Sequence, residues 1–400
     1  MKLIQRTLVI AALLFCARAS YAQSYQIVGS QSSTVAGDLT KTVTTVQVGT
    51  NPLDRFLVSR VRKSAGQAHR GTLLLLPPLG SGFQNYETVV GGDYAKSFAG
   101  FFARRGFDVW GYSQRVQGLT SGQCESGAID CTAMAGWGLQ TILDDVAFIR
   151  QQIDATHPGE KPVVGGLSLG SIATVAAINQ DPEAYAGAIM IEGSLYTANS
   201  ESRAINAGFC SAFEGLLAAG VYYDGQQGPG FKLLSLLADT APNQPTPLPG
   251  FPPGFTNHRA WVAFMSAPPI GPVTPRPGYY FLKGSVADDQ FAYVDEALIH
   301  ANIAGFVDYT ATRTIRDVSC SLAGERTFSD SLGSFDGPVL MFAGGHGFGP
   351  EMLETKELLT NASVTVEYKE DYGHVDHVFS TKHMQEVEHP ILAWLMQDVK

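Results

Sequence analysis

The chain has 400 residues, of which 45% are hydrophobic and 16% charged, and its formal net charge is −10. This composition excludes a disordered chain, because there are enough apolar side chains to build a sizeable core. The acidic balance disfavours nucleic acid as a partner, since the surface would repel a phosphate backbone.

The first 22 residues have the pattern of a signal peptide. Lys2 and Arg6 form a positive start, and residues 8–15 are an apolar run too short to span a bilayer. Ser20 and Ala22 are small, as a signal peptidase requires, so we expect cleavage after Ala22. Removing this segment with its three cations brings the charge to −13. The pattern predicts a secreted or periplasmic protein with no stable membrane anchor.

Five cysteines occur in the chain, and Cys16 leaves with the signal. The remaining four are an even number in an oxidising compartment, which favours two disulfides. Cys124 and Cys131 are close enough in sequence to close one small loop, and Cys210 and Cys320 would form the second pair.

The order of elements along the chain indicates an α/β fold. Residues 24–63 alternate around 42–48 and 56–62, which predicts two or more antiparallel leading strands. Apolar strands and helices then alternate. The predicted strands are 72–76, 107–112, 162–167, 186–191, 338–343 and 364–368, and the predicted helices are 95–105, 139–153, 171–179, 351–359 and 386–397. Such apolar strands between helices favour a parallel sheet covered on both faces.

This alternation stops between residues 193 and 335, where the chain is rich in glycine, proline and aromatic residues. A structureless loop of that length would be implausible in a compact domain. We therefore expect a large inserted cap or lid over 193–335, with 23–192 and 336–400 forming the core.

The segment Gly166-Leu167-Ser168-Leu169-Gly170 fits the pattern G-x-S-x-G. It directly follows an apolar strand and precedes a predicted helix. A serine in this place lies on a tight strand-to-helix turn, which needs small neighbours two residues away on either side. The turn exposes the hydroxyl and points a helix N-terminus at developing negative charge. Ser168 is therefore the predicted nucleophile, and a glycine-rich helix cap is the alternative interpretation.

On this motif and its context the chain resembles the α/β-hydrolase superfamily over residues 71–191 and again from 338 to the end. The resemblance leaves out the leading strands and the predicted cap. It implies a Ser–acid–His triad on an eight-stranded, mostly parallel sheet, with the histidine on a loop after the last strand.

Two histidines lie just past the last predicted strand, His374 and His377. The resemblance favours His374 as the base, because Gly373 and His374 look like the usual Gly-His turn. The segment from His374 to Asp376 is also similar to the His-x-Asp segment of acid-lipase-type esterases. His377 stays open as the alternative. A zinc site including His383 is disfavoured by the spacing, and we expect no metal and no cofactor.

The acid departs from the superfamily's commonest pattern. It usually follows the strand predicted at 338–343, but residues 344–349 read GGHGFG, and Asp336 lies before that strand. Some lipases place the acid at the end of the strand after the nucleophile helix, where this chain has Glu192. A carboxylate there is costly to bury unless it has a partner such as an imidazole N–H. Glu192 is the predicted acid, with Asp376 and Glu351 as alternatives.

The resemblance also implies two oxyanion-hole donors. One is the backbone N–H after the nucleophile, on Leu169. The other comes from the loop after the first core strand, which here reads PPLG from 77 to 80. Since proline has no N–H, Leu79 or Gly80 must donate, and Leu79 is preferred.

Together these residues predict a secreted serine hydrolase that cleaves a carboxylic ester through an acyl-enzyme. The aromatic residues of the predicted cap favour an apolar or bulky substrate, either a small molecule, a lipid or a polymer. They are Phe209, Phe213, Tyr222, Tyr223, Phe251, Phe255, Trp261, Phe264, Tyr279, Tyr280 and Phe281. An amide or C–C (β-diketone) hydrolase on the same triad and a non-catalytic ligand-binding protein stay open as alternatives.

Overall fold

The computed structural model describes residues 24–64, 68–267 and 275–399. The predicted signal peptide lies outside these residues. The strands, in chain order, are β1 (Tyr25–Ala36), β2 (Leu39–Val48), β3 (Arg55–Lys63), β4 (Gly71–Leu76), β5 (Phe107–Ser113), β6 (Val163–Leu167), β7 (Gly187–Ile191), β8 (Tyr223–Asp224), β9 (Gly284–Ser285), β10 (Gln290–Phe291), β11 (Thr310–Ala311), β12 (Val339–His346) and β13 (Val364–Gly373).

Nine of these strands form one sheet, in the order β1-β2-β3-β5-β4-β6-β7-β12-β13. The pairs β1–β2, β2–β3 and β3–β5 are antiparallel. Every neighbouring pair from β5 across the sheet to β13 is parallel. The leading region supplies three antiparallel strands, so the sheet has nine strands and not the eight that the resemblance implies. A mostly parallel sheet between helices is confirmed.

Helices cover both faces of the sheet. In chain order they are α1 (Phe98–Ala103), α2 (Leu139–Thr156), α3 (Leu169–Gln180), α4 (Ser200–Ala218), α5 (Gln227–Thr240), α6 (Asn257–Ser266), α7 (Glu296–Ala304), α8 (Thr312–Ala323), α9 (Gly349–Lys356), α10 (Asp376–Phe379) and α11 (His389–Gln397). Buried side chains of α2 and α3 share one apolar cluster with the sheet, and those of α1 and α11 share another. The apolar strands are thereby buried on both faces.

Two of the predicted helices begin with a turn of another kind. In the segment predicted as a helix at 95–105, Tyr94–Lys96 forms a 3-10 turn and α1 follows it. The Ser97 hydroxyl caps α1 by accepting the Gly100 N–H. The helix predicted at 386–397 begins as a π-turn, Met384–Glu388, and becomes α11 only at His389. The apolar periodicity predicted that a helix would form, whereas the Ser97 cap decides where α1 begins.

The segment 193–335 contributes helices α4 to α8 and the short strands β8 to β11, but in its described part no strand of the large sheet. It has an apolar cluster of its own, which includes Leu234, Trp261, Met265, Leu282 and Ile299. The division of the chain into core and cap remains a prediction.

Both predicted disulfides are present. Cys124 pairs with Cys131, and Cys210 of α4 pairs with Cys320 of α8. Among the residues that the structure describes, no helix is both long and apolar enough to cross a membrane.

Candidate active site

Ser168 lies on a sharp turn between β6 and α3, with φ 56° and ψ −118°. Non-glycine residues rarely adopt such a conformation, and it costs energy that the surrounding structure must supply. The turn packs tightly on Leu76: a Cβ at Gly166 would lie 2.3 Å from the Leu76 carbonyl oxygen, and one at Gly170 would lie 1.9 Å from it. Both glycines of the G-x-S-x-G motif are therefore required by close backbone approach.

His374 follows β13 directly and faces the Ser168 hydroxyl. Its Nε2 lies 2.8 Å from Ser168 Oγ. The imidazole is buried, and burial lowers the pKa of His374 to about 3. The ring is therefore neutral at neutral pH and able to accept a proton from the hydroxyl.

Glu192 directly follows β7 and has a positive φ of 54°. Its side chain is fully buried. One carboxylate oxygen accepts the N–H of Gly344, and the other accepts the N–H of Phe348 at 2.7 Å. Glu192 Oε2 lies 3.5 Å from His374 Nδ1. Burial raises the pKa of Glu192, while the two N–H donors and the charge of Arg276 favour the carboxylate.

The other candidate acids have different neighbours. Asp376 accepts the backbone N–H groups of Gly373 at 2.6 Å and Lys283 at 3.0 Å, and burial raises its pKa to about 7. Glu351 lies 3.5 Å from the Nε of Arg276, and burial raises its pKa to about 7. The structure places both near the site, and the carboxylate next to the His374 ring is that of Glu192.

The three neighbouring histidines separate in the fold. His377 is buried against the rings of Phe342 and Tyr372, and burial lowers its pKa to about 4. His383 Nδ1 is 2.8 Å from Glu388 Oε1. His374 alone of the three faces Ser168.

Aromatic rings surround His374. Tyr279, Phe281 and Phe348 have ring centroids 5.5, 5.9 and 5.3 Å from that of His374. Tyr279 and Phe281 are among the aromatic residues named from the sequence, whereas Phe348 is not. Others in that set pack within segment 193–335, as the buried Trp261 does.

The two predicted oxyanion donors come from different parts of the chain. Leu169 is the first residue of α3, and Leu79 is half-buried in the loop after β4. Segment 193–335 contacts this loop, because the Val307 N–H donates to the Gly80 carbonyl at 2.8 Å.

Sequence reasoning missed the contribution of residues 344–348. Their glycine-rich sequence was interpreted only as lacking an acid, but its N–H groups bind Glu192. Gly347 leaves room for that carboxylate, since a Cβ there would lie 1.8 Å from Glu192 Oε2. The run of glycines after the predicted strand was the sequence feature that could have indicated this close approach, because glycine often marks such places.

No protein-family model and no curated protein sequence matches this chain. Solved structures do match it. A proposed lipase from Sulfolobus solfataricus is 20% identical with a TM-score of 0.65, over 94% of this chain and 99% of that one. A thermostable carboxyl esterase from Bacillus coagulans is 13% identical with a TM-score of 0.53, also over 94% and 99%. At this identity the likeness establishes the fold, and the chain has the α/β-hydrolase fold.

Proposed function

We propose that the protein is an exported serine hydrolase that cleaves carboxylic esters with Ser168, His374 and Glu192. The observation that carries this proposal is the 2.8 Å contact between His374 Nε2 and Ser168 Oγ, made by a serine on a strained strand-to-helix turn. A hydroxyl held beside a neutral imidazole is the arrangement that nucleophilic catalysis requires.

In the proposed reaction His374 accepts the Ser168 proton while Oγ attacks the ester carbonyl. The N–H groups of Leu79 and Leu169 stabilise the oxyanion, and each such donor is typically worth about 3 kcal/mol. The imidazolium then protonates the leaving alcohol. Water attacks the acyl-enzyme with His374 again acting as base, while Glu192 stabilises each imidazolium. The 3.5 Å separation between Glu192 and His374 would shorten when the ring becomes charged.

An apolar ester is the favoured substrate class. The rings of Tyr279, Phe281 and Phe348 pack around His374, and Phe281, the partly exposed one of the three, offers hydrophobic surface beside this histidine. The structural neighbours include proteins described as a lipase and a carboxyl esterase, which supports the same class. We also propose that segment 193–335 acts as the cap, because it contacts the loop of Leu79 through Val307.

Export is supported by two features. The first 22 residues have the signal pattern, and two disulfides join the four remaining cysteines. Disulfides persist in oxidising compartments, which fits a periplasmic or secreted protein.

Labelling with a fluorophosphonate tests the nucleophile directly. We expect an adduct on the Ser168 peptide of the folded mature protein, and loss of that adduct on denaturation. His374→Asn should abolish labelling, whereas His377→Asn, at the alternative base, should retain it. A folded protein that is not labelled at Ser168 contradicts the proposal and favours a non-catalytic ligand-binding protein.

A substrate panel tests the reaction type. Esters of increasing acyl length, matched amides and β-diketones should be compared by kcat/KM. We expect esters to be preferred, because their alcohol leaves more readily than an amine. A preference for amides or β-diketones would keep the triad and change the reaction.

A further inference from the structure

Residues 276–283, here called the strap, cross the site between the loop that binds Glu192 and the loop that carries His374. The strap belongs to segment 193–335. It begins one residue after residue 275, where the described chain resumes. Its backbone contacts both loops, and Arg276 contacts the loop that binds Glu192.

On the Glu192 side, the Arg276 guanidinium donates to the carbonyl oxygens of Gly345 and Gly347, the latter at 3.1 Å. Tyr280 N–H donates to the His346 carbonyl at 3.0 Å, and the rings of these two residues stack with centroids 4.6 Å apart. These contacts hold the segment whose first and last N–H groups, on residues 344 and 348, bind the Glu192 carboxylate.

On the base side, the N–H of His374 donates to the Tyr280 carbonyl at 2.9 Å, and the N–H of Val375 donates to the Phe281 carbonyl at 2.9 Å. Lys283 N–H donates to Asp376 at 3.0 Å. The strap thus fixes the base and the groups that hold the acid relative to one another.

We infer that Arg276 is a positioning residue, which through its bonds to residues 345 and 347 keeps the N–H donors of Glu192 in place. This inference rests on the proposed function. Arg276 touches neither Ser168 nor the His374 ring in the contacts described, so its effect acts through Glu192.

The charged and titratable groups around Glu192 come from three further places. His374 and Asp376 lie after β13, Glu351 lies on α9, and Arg276 and Tyr279 lie on the strap. Arg276 supplies the positive charge in this set, and that charge lowers the pKa of Glu192 against the effect of burial. Loss of its charge should therefore make Glu192 harder to ionise.

The test is the variant Arg276→Met in the full mature chain, with Arg62→Met on β3 as a matched control at an exposed site. We expect kcat to fall by about 10²-fold with a smaller change in KM. A displacement of a catalytic group by about 1 Å has an effect of this size. The acidic limb of the kcat/KM profile should move to higher pH. Arg276→Lys, which keeps the charge, should recover part of the activity and return the limb toward its original position.

A double variant separates two roles of Arg276, because this residue also lies beside the buried Glu351. If Arg276 only neutralises Glu351, adding Glu351→Gln to Arg276→Met should restore turnover. We expect the double variant to stay impaired, since the bonds to the 345 and 347 carbonyls are still missing.

The two failures are distinguishable. A wild-type protein without esterase activity and without Ser168 labelling removes the proposed function. An active wild-type protein whose folded Arg276→Met variant keeps the same kcat and pH profile, or whose double variant recovers fully, overturns the positioning role alone.

Discussion

Gly347 lies so close to Glu192 that any side chain at position 347 would overlap the Glu192 carboxylate. A Cβ at Gly347 would lie 1.8 Å from Glu192 Oε2 and 2.9 Å from the His374 Cα. Real Cβ atoms do not approach this closely, so the absence of a side chain at 347 is a condition for the Glu192 carboxylate to lie where it does.

Gly347→Ala should therefore inactivate the protein. The added methyl must displace either Glu192 or the main chain at His374, and we expect a loss of about 10²-fold or more in kcat/KM. Gly118→Ala is the matched control, because a Cβ at Gly118 meets nothing within 4 Å. Activity assays with urea unfolding of both variants make the comparison, and equal activities would show that the site tolerates the displacement.

Glu192→Gln tests the acid while preserving side-chain size. We expect kcat to fall by about 10² to 10⁴-fold, because a neutral amide does not stabilise the imidazolium of His374. Glu351→Gln and Asp376→Asn are the matched changes at the two alternative acids. The largest loss should be at Glu192, and a larger loss at either alternative would reassign the acid.

The pH profile of activity should report Glu192 more than His374. Burial raises the pKa of Glu192 above its usual value and lowers that of His374 to about 3, so acidification protonates the carboxylate first. Glu192→Gln removes this carboxylate titration, and the acidic limb of kcat/KM should move to lower pH. An acidic limb near about 6.5 in both proteins, the value of a free histidine, would contradict this assignment.

The parts of the site that could be predicted from sequence are local. The G-x-S-x-G motif, the apolar strand before it and the Gly-His pair after the last strand each lie within a few residues, and their structure follows from nearby chain. The apolar runs likewise predicted the parallel strands, because burial on both faces needs side chains of that kind.

What could not be predicted depends on contacts between distant residues. The N–H groups of Gly344 and Phe348 bind a carboxylate about 150 residues earlier in the chain, at separations of 152 and 156. The bonds of Arg276 to the same loop join segments 69 and 71 residues apart. No local sequence pattern marks residues that pair across such distances. They meet only when the sheet has assembled and has brought β7, β12 and the strap together.

The two disulfides should differ in their contribution to stability. Cys210 and Cys320 are separated by 110 residues, whereas Cys124 and Cys131 are separated by 7. In the loop-entropy model a bond across the longer loop restricts the unfolded chain more, by about 4.8 kcal/mol against about 2.5 kcal/mol. Replacing both cysteines of a pair by serine should therefore lower the free energy of unfolding more for Cys210 and Cys320, as measured by urea titration.

The same comparison tests whether native packing outweighs chain entropy. Cys124 and Cys131 are both buried in a small apolar cluster with Trp137, so their replacement also places hydroxyls where there is little water. If that cost dominates, the short-loop variant would lose as much stability as the long-loop variant. Alanine replacements at the same four positions remove the hydroxyls, and the order expected from loop length should then be clearest.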